Sequence, residues 1–437
     1  MTGALLPCAC VVWLLGLWYV NSRLDGSSIS PASLFLGYWF FGAACPLVAW
    51  LASLLLLQHT AGYLFLAVIA TTVFLASFFF RPYRRRITPP PAQVLGSSAQ
   101  RRLLGIYPVA LLLALLYPVG LYWQARETLG VQSLLEMPGV VSEARYTVDW
   151  NPGTFVNGLN TFVFVAAALS GFLAANRPTR KRHRLVILSG LLPGVLTYYL
   201  TAARTGLLFS AVFWLASYIT CATFLGQSRQ FSFSRFFRAG LLLTVLVLPV
   251  VHVGYMVRTG TYSWAESKGF WEKSLSTAFG HMPVLGYWLE SDDLAQLPPF
   301  ELKSFAGLTE KVGLAKREQG LYEVSYAVGA DESLSNIYTS FRPLVEDGRG
   351  VVGGCLLLFL AAGAANLGWH YLRRGRIQMF PVVFAFQVYV LWSLITSIYI
   401  YLSTLLAVTI TCAVIMHVLF LNRKAAAAAG RLSSAAD

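Results

Sequence analysis

The chain of 437 residues is 57% hydrophobic and only 12% charged, and its mean hydropathy is +0.61. A soluble protein of this length cannot bury so much apolar surface, so the composition excludes a soluble globular domain and predicts a polytopic membrane protein. The formal charge of +14 fits basic loops held against an anionic membrane leaflet and gives no reason to expect a nucleic-acid partner.

Membrane-spanning segments follow one another along most of the chain. About eleven segments have the roughly 20 apolar residues that a helix needs to cross a hydrocarbon core about 30 Å thick. Long unbroken apolar runs favour helices over a β-barrel and predict an all-α bundle. The segments lie near 4–20, 33–57, 61–80, 103–123, 154–176, 185–201, 205–226, 239–257, 350–371, 379–397 and 399–421.

These spans divide the chain into four regions. Eight spans fill residues 1–256, one large loop covers 257–349, three spans fill 350–421, and a tail occupies 422–437. Loops longer than about 15 residues are usually functional or disordered, so the large loop is a candidate functional region.

Charge predicts the orientation of the bundle. Five basic segments fall on one side of the predicted membrane, and the positive-inside rule makes that side cytoplasmic. These segments are 81–86, 177–184, 228–238, 373–376 and 422–424. All but two of the 19 acidic residues lie on the other side, within 127–149 and 266–347, the exceptions being Asp25 and Asp437. The N-terminus and the large loop are therefore expected outside, and the C-terminus in the cytoplasm.

Several classes of chemistry lack their sequence signatures. All six cysteines fall within predicted spans, which argues against a disulfide framework or a zinc site. No predicted span contains an internal Asp or Glu, so a carboxylate proton relay of the transporter kind is not expected. There is no P-loop, no H-E-x-x-H motif and no Asp-rich cluster. We therefore expect no metal or nucleotide cofactor and a substrate that supplies its own energy.

Three arginines are predicted at the outer ends of spans. The stretch 185–225 would be about 60 Å long as one helix, so it must fold back, and its polar break at 197–206 places Arg204 at the turn. Arg258 ends the eighth span, and Arg342 precedes the ninth. Each could snorkel to lipid phosphate. Together they favour a site for a pyrophosphate or carboxylate, which guanidinium groups bind with two parallel hydrogen bonds.

The large loop is rich in aromatic, glycine and acidic residues, as in FGHMPVLGYWLESDD. Aromatic faces can pack on sugar rings and carboxylates can accept their hydroxyls, although an ordinary solvated outer domain has a similar composition. His281, Glu290, Glu323, Glu346 and Asp347 are the titratable candidates for a general base.

The segment SNIYTSFRPLVEDGRGVVGG resembles the signature of Wzy-type polymerases of O-antigen and oligosaccharide repeat units. In that signature Asn, an aromatic, Thr, Arg, an acid and Gly-x-x-Gly lead into a late span. The matching residues are Asn336, Tyr338, Thr339, Arg342, Asp347, Gly350 and Gly353. TAARTGLL is similar to the family's middle-span motif, with Arg204 in the family position. This chain has Asp347-Gly348-Arg349-Gly350 where family members commonly carry Asp-Phe-Gly.

The resemblance implies a metal-independent glycosyltransferase of the bacterial inner membrane with a GT-C-like fold. It would transfer a growing glycan from polyprenyl (undecaprenyl) pyrophosphate onto an incoming lipid-linked repeat unit at the periplasmic face. Lipid-linked oligosaccharide and membrane lipids would be its partners, with a possible chain-length regulator. Arg204 and Arg258 would clamp the pyrophosphate, with Arg342 as a third donor or as the partner of Glu346 and Asp347. The remaining candidates, which would bind the sugar substrate, are His281, Asn336, Tyr338 and Thr339.

Three alternatives stay open at this point. An O-antigen ligase would share the arginines and the long loop but transfer to lipid A core. A repeat-unit flippase would show internal duplication and a basic central cavity. A non-enzymatic scaffold in polysaccharide export would not need arginines gathered at helix ends.

Overall fold

The computed structural model describes residues 2–51, 60–82, 97–147, 150–176, 189–201, 203–227, 252, 256, 279–291, 302–314, 326–328, 334–335 and 339–433. Fourteen α-helices lie in these ranges: α1 (Thr2–Asp25), α2 (Pro31–Leu51), α3 (Thr60–Phe79), α4 (Ser97–Leu129), α5 (Met137–Thr147), α6 (Thr154–Ala175), α7 (Leu192–Thr201), α8 (Arg204–Phe224), α9 (His281–Glu290), α10 (Ala306–Lys311), α11 (Phe341–Asp347), α12 (Val351–Leu372), α13 (Phe380–Trp392) and α14 (Leu402–Ser433). Two short antiparallel strands, β1 (Tyr326–Ala327) and β2 (Leu334–Ser335), pair with each other.

The predicted all-α polytopic architecture is confirmed. Eight helices in the described ranges are long and apolar enough to cross a membrane, namely α1, α2, α3, α4, α6, α8, α12 and α14. Three predicted spans differ. The span 379–397 is a shorter apolar helix over Ile377–Trp392. The described part of 185–201 contains a 3-10 turn at Ser189–Leu191 and the ten-residue α7. The span 239–257 lies outside the described residues except for 252 and 256.

The predicted fold-back before Arg204 is present. A Cβ added at Gly194 would lie 2.4 Å from the Ser210 hydroxyl oxygen, and one added at Gly206 would lie 3.2 Å from the Thr197 side chain. These contacts pair residues whose numbers rise on α7 as they fall on α8, so the two helices run antiparallel. Ala203 is extended, and Arg204 is the first residue of α8.

A buried ion pair ties three helices together at one end of the bundle, which we call the basic end. The Asp25 side chain at the end of α1 is fully buried, and its Oδ1 lies 2.7 Å from an Arg81 nitrogen just beyond α3. Asn21 donates to the other carboxylate oxygen at 3.1 Å, and Arg373 after α12 donates to the Asp25 backbone oxygen at 3.1 Å. Pairing thus explains how an acidic residue is tolerated among the basic segments.

At the opposite end, which we call the loop end, α13 stops short. The Tyr38 hydroxyl donates to the Leu391 carbonyl at 2.8 Å, and the Trp39 indole donates to the Ser393 hydroxyl at 2.9 Å. Trp39 lies about 12 Å along α2, in the middle of that helix. The chain therefore leaves helical geometry inside the bundle, and the predicted span 379–397 extends five residues beyond the end of the helix.

Residues 393–401 form a buried break between α13 and α14, with a single 3-10 turn at Ile398–Ile400. Ser393, Ser397 and Ile398 are each at most 1% exposed. Irregular backbone at this depth is tolerated only where protein surrounds it or where it lines a cavity. Two segments of the large loop, 302–311 and 339–349, meet this requirement by packing against the break.

Replacing Arg81 with Ala should lower the free energy of unfolding by about 3 kcal/mol, because it leaves the buried Asp25 carboxylate without its main partner. Thermal unfolding in detergent would measure this loss. Arg23 is the matched control, since it is exposed on the same last turn of α1. Arg23→Ala should change stability by no more than about 0.5 kcal/mol. Equal losses in both variants would contradict the buried pair.

Candidate functional site

The turn from α11 into α12 is held by direct contact between backbones. A Cβ on Gly353 would lie 1.9 Å from the Gly348 carbonyl oxygen, and one on Gly348 would lie 2.1 Å from the Gly354 nitrogen. Gly350 has a φ of 127°, which a side chain would strain. Glycine is therefore required at each of these positions. The Gly-x-x-Gly pattern fixes the end of α11 against the first turn of α12.

Unfavourable backbone geometry is concentrated around this turn. Among the described residues, the non-glycine positions with positive φ are Leu302, Thr339 and Arg349, at 51°, 66° and 53°. Thr339 precedes α11, Arg349 follows it, and Leu302 begins the segment that contacts its end. Positive φ is uncommon for non-glycine residues and is a genuine outlier for a β-branched one. Such strain clusters at functional sites, where the surrounding structure holds it in place.

Asp347, the last residue of α11, lies at the centre of these segments. It is 7% exposed, and its Oδ2 accepts a hydrogen bond of 3.0 Å from the Ser304 backbone N–H. Within the part of the chain that the structure describes, its Oδ1 is enclosed and has no hydrogen-bond partner. Burial raises the pKa of the Asp347 carboxyl, while hydrogen bonds from Ser304 and the nearby Lys303 charge oppose that rise. One oxygen of this acid thus lacks a hydrogen-bond donor among the described residues, which is costly for a buried carboxylate.

Asp347 lines a cavity of about 670 Å³, which we call the Asp347 cavity. Most of its wall is one apolar face of α12 and one of α13. These faces contribute Gly353, Leu356, Leu357, Ala361, Ala364, Val382, Ala385, Phe386 and Tyr389. The polar groups Asp347, Ser304 and Ser397 lie where the loop segments meet the break.

The shape of the Asp347 cavity is that of an elongated groove. Gly353 and Ala364 on α12 are about 16 Å apart along the helix axis. Leu356 is 58% exposed and Val382 is 41% exposed on the outer surface of the bundle, so the apolar wall continues to the lipid-facing side. The cavity therefore joins a carboxylate at the loop end to an aliphatic surface alongside the membrane.

Arg342 pairs with Glu346 on the next turn of α11. The Arg342 Nε lies 3.0 Å from the Glu346 Oε1, and the two side chains are 11% and 7% exposed. The Arg342 guanidinium also lies over the Trp288 ring of α9, 5.3 Å from the ring centroid. For Glu346, this geometry corresponds to the second of the two roles considered for Arg342, that of a partner to the acids Glu346 and Asp347.

His281, the first residue of α9, is 2% exposed and lines neither of the cavities described in this structure. Its Nε2 lies 2.8 Å from the Gly42 carbonyl oxygen. A carbonyl can only accept, so this nitrogen donates and is not a free base. The His281 ring packs edge-on to the Trp39 ring, with 6.1 Å between the ring centroids. His281 thus anchors α9 to α2.

Thr339 is fully buried, and its hydroxyl accepts a hydrogen bond of 3.2 Å from the Phe341 N–H. The residue stabilises the turn that begins α11. At this turn the Phe341 ring stacks on the Trp39 ring, with 4.5 Å between the ring centroids. A sugar-binding contact by this hydroxyl would require it to leave that turn. The geometry therefore favours a structural role for Thr339.

The side chains of the other predicted site residues lie outside the part of the chain that the structure describes. Arg258, Asn336 and Tyr338 lie outside the described residues, and for Arg204 the backbone alone is described. Phe209 lies five residues after Arg204 on α8. Its ring centroid is 4.4 Å from that of Trp392 and 5.4 Å from that of Tyr401. Arg204 therefore begins a helix that packs against the same break as the Asp347 cavity.

Sequence reasoning missed the contributions of Ser304, Ser397 and Tyr389. The Ser397 hydroxyl donates to the Ser304 carbonyl at 3.3 Å, and the Ser340 hydroxyl donates to the Tyr389 hydroxyl at 2.9 Å. One available signal was the run Ser393, Thr396 and Ser397 inside a predicted span, because hydroxyl side chains there often satisfy an interrupted helix.

Replacing Asp347 with Asn should leave the protein at least as stable as the wild type at pH 7. The raised pKa means that the folded state binds the proton more tightly than the unfolded state does. The free energy of unfolding of the wild type therefore falls as pH rises from the ordinary Asp range through the raised pKa. An Asn carries no charge there and can still accept from Ser304.

Thermal unfolding at pH 7 and pH 4 would measure the difference between the variant and the wild type, which should shrink at the lower pH. Glu310→Gln, on the exposed side of α10, is the control and should change the midpoint little. A large loss of stability in Asp347→Asn at pH 7 would show instead that the carboxylate charge holds the site together.

Comparisons with known proteins identify no family for this chain. No family model matches the chain, and the searches of curated proteins and of solved structures found no match. The functional assignment therefore depends on the residues and their geometry.

Proposed function

We propose that the chain is a Wzy-type, metal-independent glycosyltransferase with a GT-C-like fold, which polymerises lipid-linked oligosaccharide repeat units. The loop end would face the periplasm and the basic end the cytoplasm of a bacterial cell. The donor would be the growing glycan on polyprenyl pyrophosphate, and the acceptor the terminal sugar of an incoming lipid-linked unit.

The observation that carries this proposal is the amphipathic character of the Asp347 cavity. A soluble substrate would have no use for the aliphatic faces of α12 and α13 beside the carboxylate. A non-enzymatic scaffold would have no use for an enclosed acid with one unpartnered oxygen. A substrate with a polyprenyl tail and a polar head matches both parts, since apolar walls with a few placed polar groups are typical of ligand sites.

Asp347 is the best supported general base among the described candidates. Glu346 is paired with Arg342, the His281 Nε2 donates to a carbonyl, and Glu290 ends α9 on the exposed surface. Asp347 alone of these four lines the Asp347 cavity. Burial raises its pKa toward the working pH, which increases the ability of a carboxylate to take a proton.

The proposed reaction needs no reagent besides the donor and the acceptor. The Asp347 carboxylate takes the proton of the acceptor hydroxyl, whose oxygen forms the new bond to the anomeric carbon of the donor sugar. The bond between that carbon and the pyrophosphate oxygen breaks, and its electron pair leaves with the lipid pyrophosphate. Arg204 and Arg258 would stabilise the charge that develops on the leaving group, an effect that grows from ground state to transition state.

Asp347→Asn should lower the rate of chain growth by about 10²- to 10⁴-fold, the usual contribution of a general base. The assay is reconstitution in vesicles with lipid-linked repeat units alone, read by product length on gels. Growth without lipid A core would distinguish a polymerase from a ligase. A variant that retains full activity would remove Asp347 from the mechanism.

Ala361→Trp tests the apolar part of the Asp347 cavity. The indole should obstruct the tail and raise KM more than it lowers kcat, because tail binding is the same in the ground and transition states. Leu360→Trp is the matched control, since Leu360 is exposed on the neighbouring face of α12 and does not line the cavity. Equal effects of the two substitutions would contradict a tail in this groove.

Replacing Arg204 or Arg258 with Ala should abolish long-chain product while the protein remains inserted and a single-unit product persists. Lys should restore only part of the activity, because one ammonium does not reproduce the two-pronged guanidinium contact. Gel profiles of the product would show both effects. Long chains in both Ala variants would exclude the clamp, and full activity with Lys would indicate simple charge attraction.

A further inference from the structure

A second cavity of about 850 Å³ lies at the loop end, between the start of α6, α10 and the start of α14. Its lining is mostly polar, in contrast to the Asp347 cavity. The side chains that matter here are those of Asn157, Asn160, Thr161, Glu310, Tyr401 and Ser403. We call it the Asn160 cavity.

Two of the asparagines that line this cavity, Asn157 and Asn160, differ in their hydrogen bonding. Asn157 donates to the Asn151 Oδ1 at 2.7 Å and to the Pro152 carbonyl at 2.5 Å, so its NH₂ group holds the rim. Asn160 lies about one turn further along α6. Its Oδ1 is enclosed and, among the described residues, has no hydrogen-bond partner. An enclosed acceptor without a donor is costly. A small shift of the Asn160 amide toward the cavity would let a ligand hydroxyl supply that donor.

The charge of the Asn160 cavity indicates a neutral ligand. Glu310 and Lys311 are adjacent and opposite in sign, and the other polar groups named above are amides and hydroxyls. A site selective for phosphate would need an excess of cationic groups. Amides, hydroxyls, one carboxylate and the Tyr401 ring are the groups that bind the hydroxyls and the apolar face of a sugar.

Only a thin wall separates the two cavities. A Cβ on Gly307 would lie 2.6 Å from the Ile400 carbonyl oxygen and 2.8 Å from the Leu402 nitrogen, so α10 touches the break backbone to backbone. Ser304 and Tyr399 line the Asp347 cavity on one side of this contact. Gly307 and Tyr401 line the Asn160 cavity on the other.

From these contacts we propose that the Asn160 cavity is a binding site for a neutral oligosaccharide chain, distinct from the Asp347 cavity that takes the lipid. This inference rests on the proposed function only for the identity of the glycan that occupies the site. A glycan held here would extend away from the lipid-binding groove, with its reacting end near the shared wall.

Gly158 offers a way to fill the cavity without disturbing the fold. It lines the Asn160 cavity, and a Cβ added there meets no atom within 4 Å. Gly158→Phe should therefore occupy the space and abolish glycan retention. Gly105→Phe is the matched control, because Gly105 is also helical, is exposed on α4, and has nothing within 4 Å of its added Cβ.

The experiment uses the full chain in nanodiscs and fluorescently labelled, lipid-free glycans released by mild acid from envelopes of the source cells. Retention above empty nanodiscs is expected for the wild type and Gly105→Phe, and not for Gly158→Phe. Asn160→Leu, which removes the enclosed acceptor with little change in size, should weaken retention about three- to tenfold.

Asp347→Asn separates this inference from the proposed function. It should retain glycan like the wild type even though it no longer extends chains. Loss of retention in Asp347→Asn would place the glycan at the Asp347 cavity and overturn the proposal. No retention by the wild type, or equal retention by Gly158→Phe, would overturn it as well. Retention with no chain growth in the wild type would reject the polymerase and leave the Asn160 cavity standing.

Discussion

The interruption of the helical backbone between α13 and α14 is the constraint on which the loop end depends. Peptide groups that leave a helix inside a membrane protein must find partners in protein, since lipid offers none. Here the Tyr38 hydroxyl of α2 donates to the Leu391 carbonyl, and the Ser340 N–H of the loop donates to the Ser393 carbonyl. Trp39 and the Ser304 carbonyl bond the side-chain hydroxyls of Ser393 and Ser397. Satisfying the break draws loop segments into the bundle.

Functional groups reach the bundle through the same packing. The segment that pairs with the break carries α11 and places Asp347 beside the aliphatic faces of α12 and α13. Burying a carboxylate and holding Thr339 at positive φ both oppose folding, and such local costs are typical of sites where geometry serves chemistry. The backbone contact of Gly307 with the break then divides the interior into an apolar and a polar cavity.

Hydrophobicity and charge predicted the helical bundle, the turn before Arg204 and the region where the acids lie, because these depend on local composition and segment length. The end of α13 was not predictable from hydropathy. Residues 393–401 are nearly as apolar as a span, and only contacts with α2 and the large loop decide that they unwind. Those partners are about 50 to 350 residues away in sequence.

The candidate site likewise has features that the sequence predicted and features that depend on tertiary contacts. Residue type, position before a predicted span and the family resemblance selected Asp347, Glu346 and Arg342, which the structure places on α11. Tertiary contacts decide which acid remains available, since Arg342 engages Glu346 while one Asp347 oxygen stays unpartnered among the described residues. His281 shows the converse, because its neighbour across the bundle is a backbone carbonyl that sequence cannot reveal.

The most direct test is a cryo-EM structure of the full chain in a nanodisc with polyprenyl pyrophosphate bound. The diphosphate should lie at the loop end, near Asp347 and within reach of Arg204 and Arg258, with the tail between α12 and α13. A diphosphate at the basic end, or guanidinium groups of Arg204 and Arg258 that share no cavity, would contradict this placement.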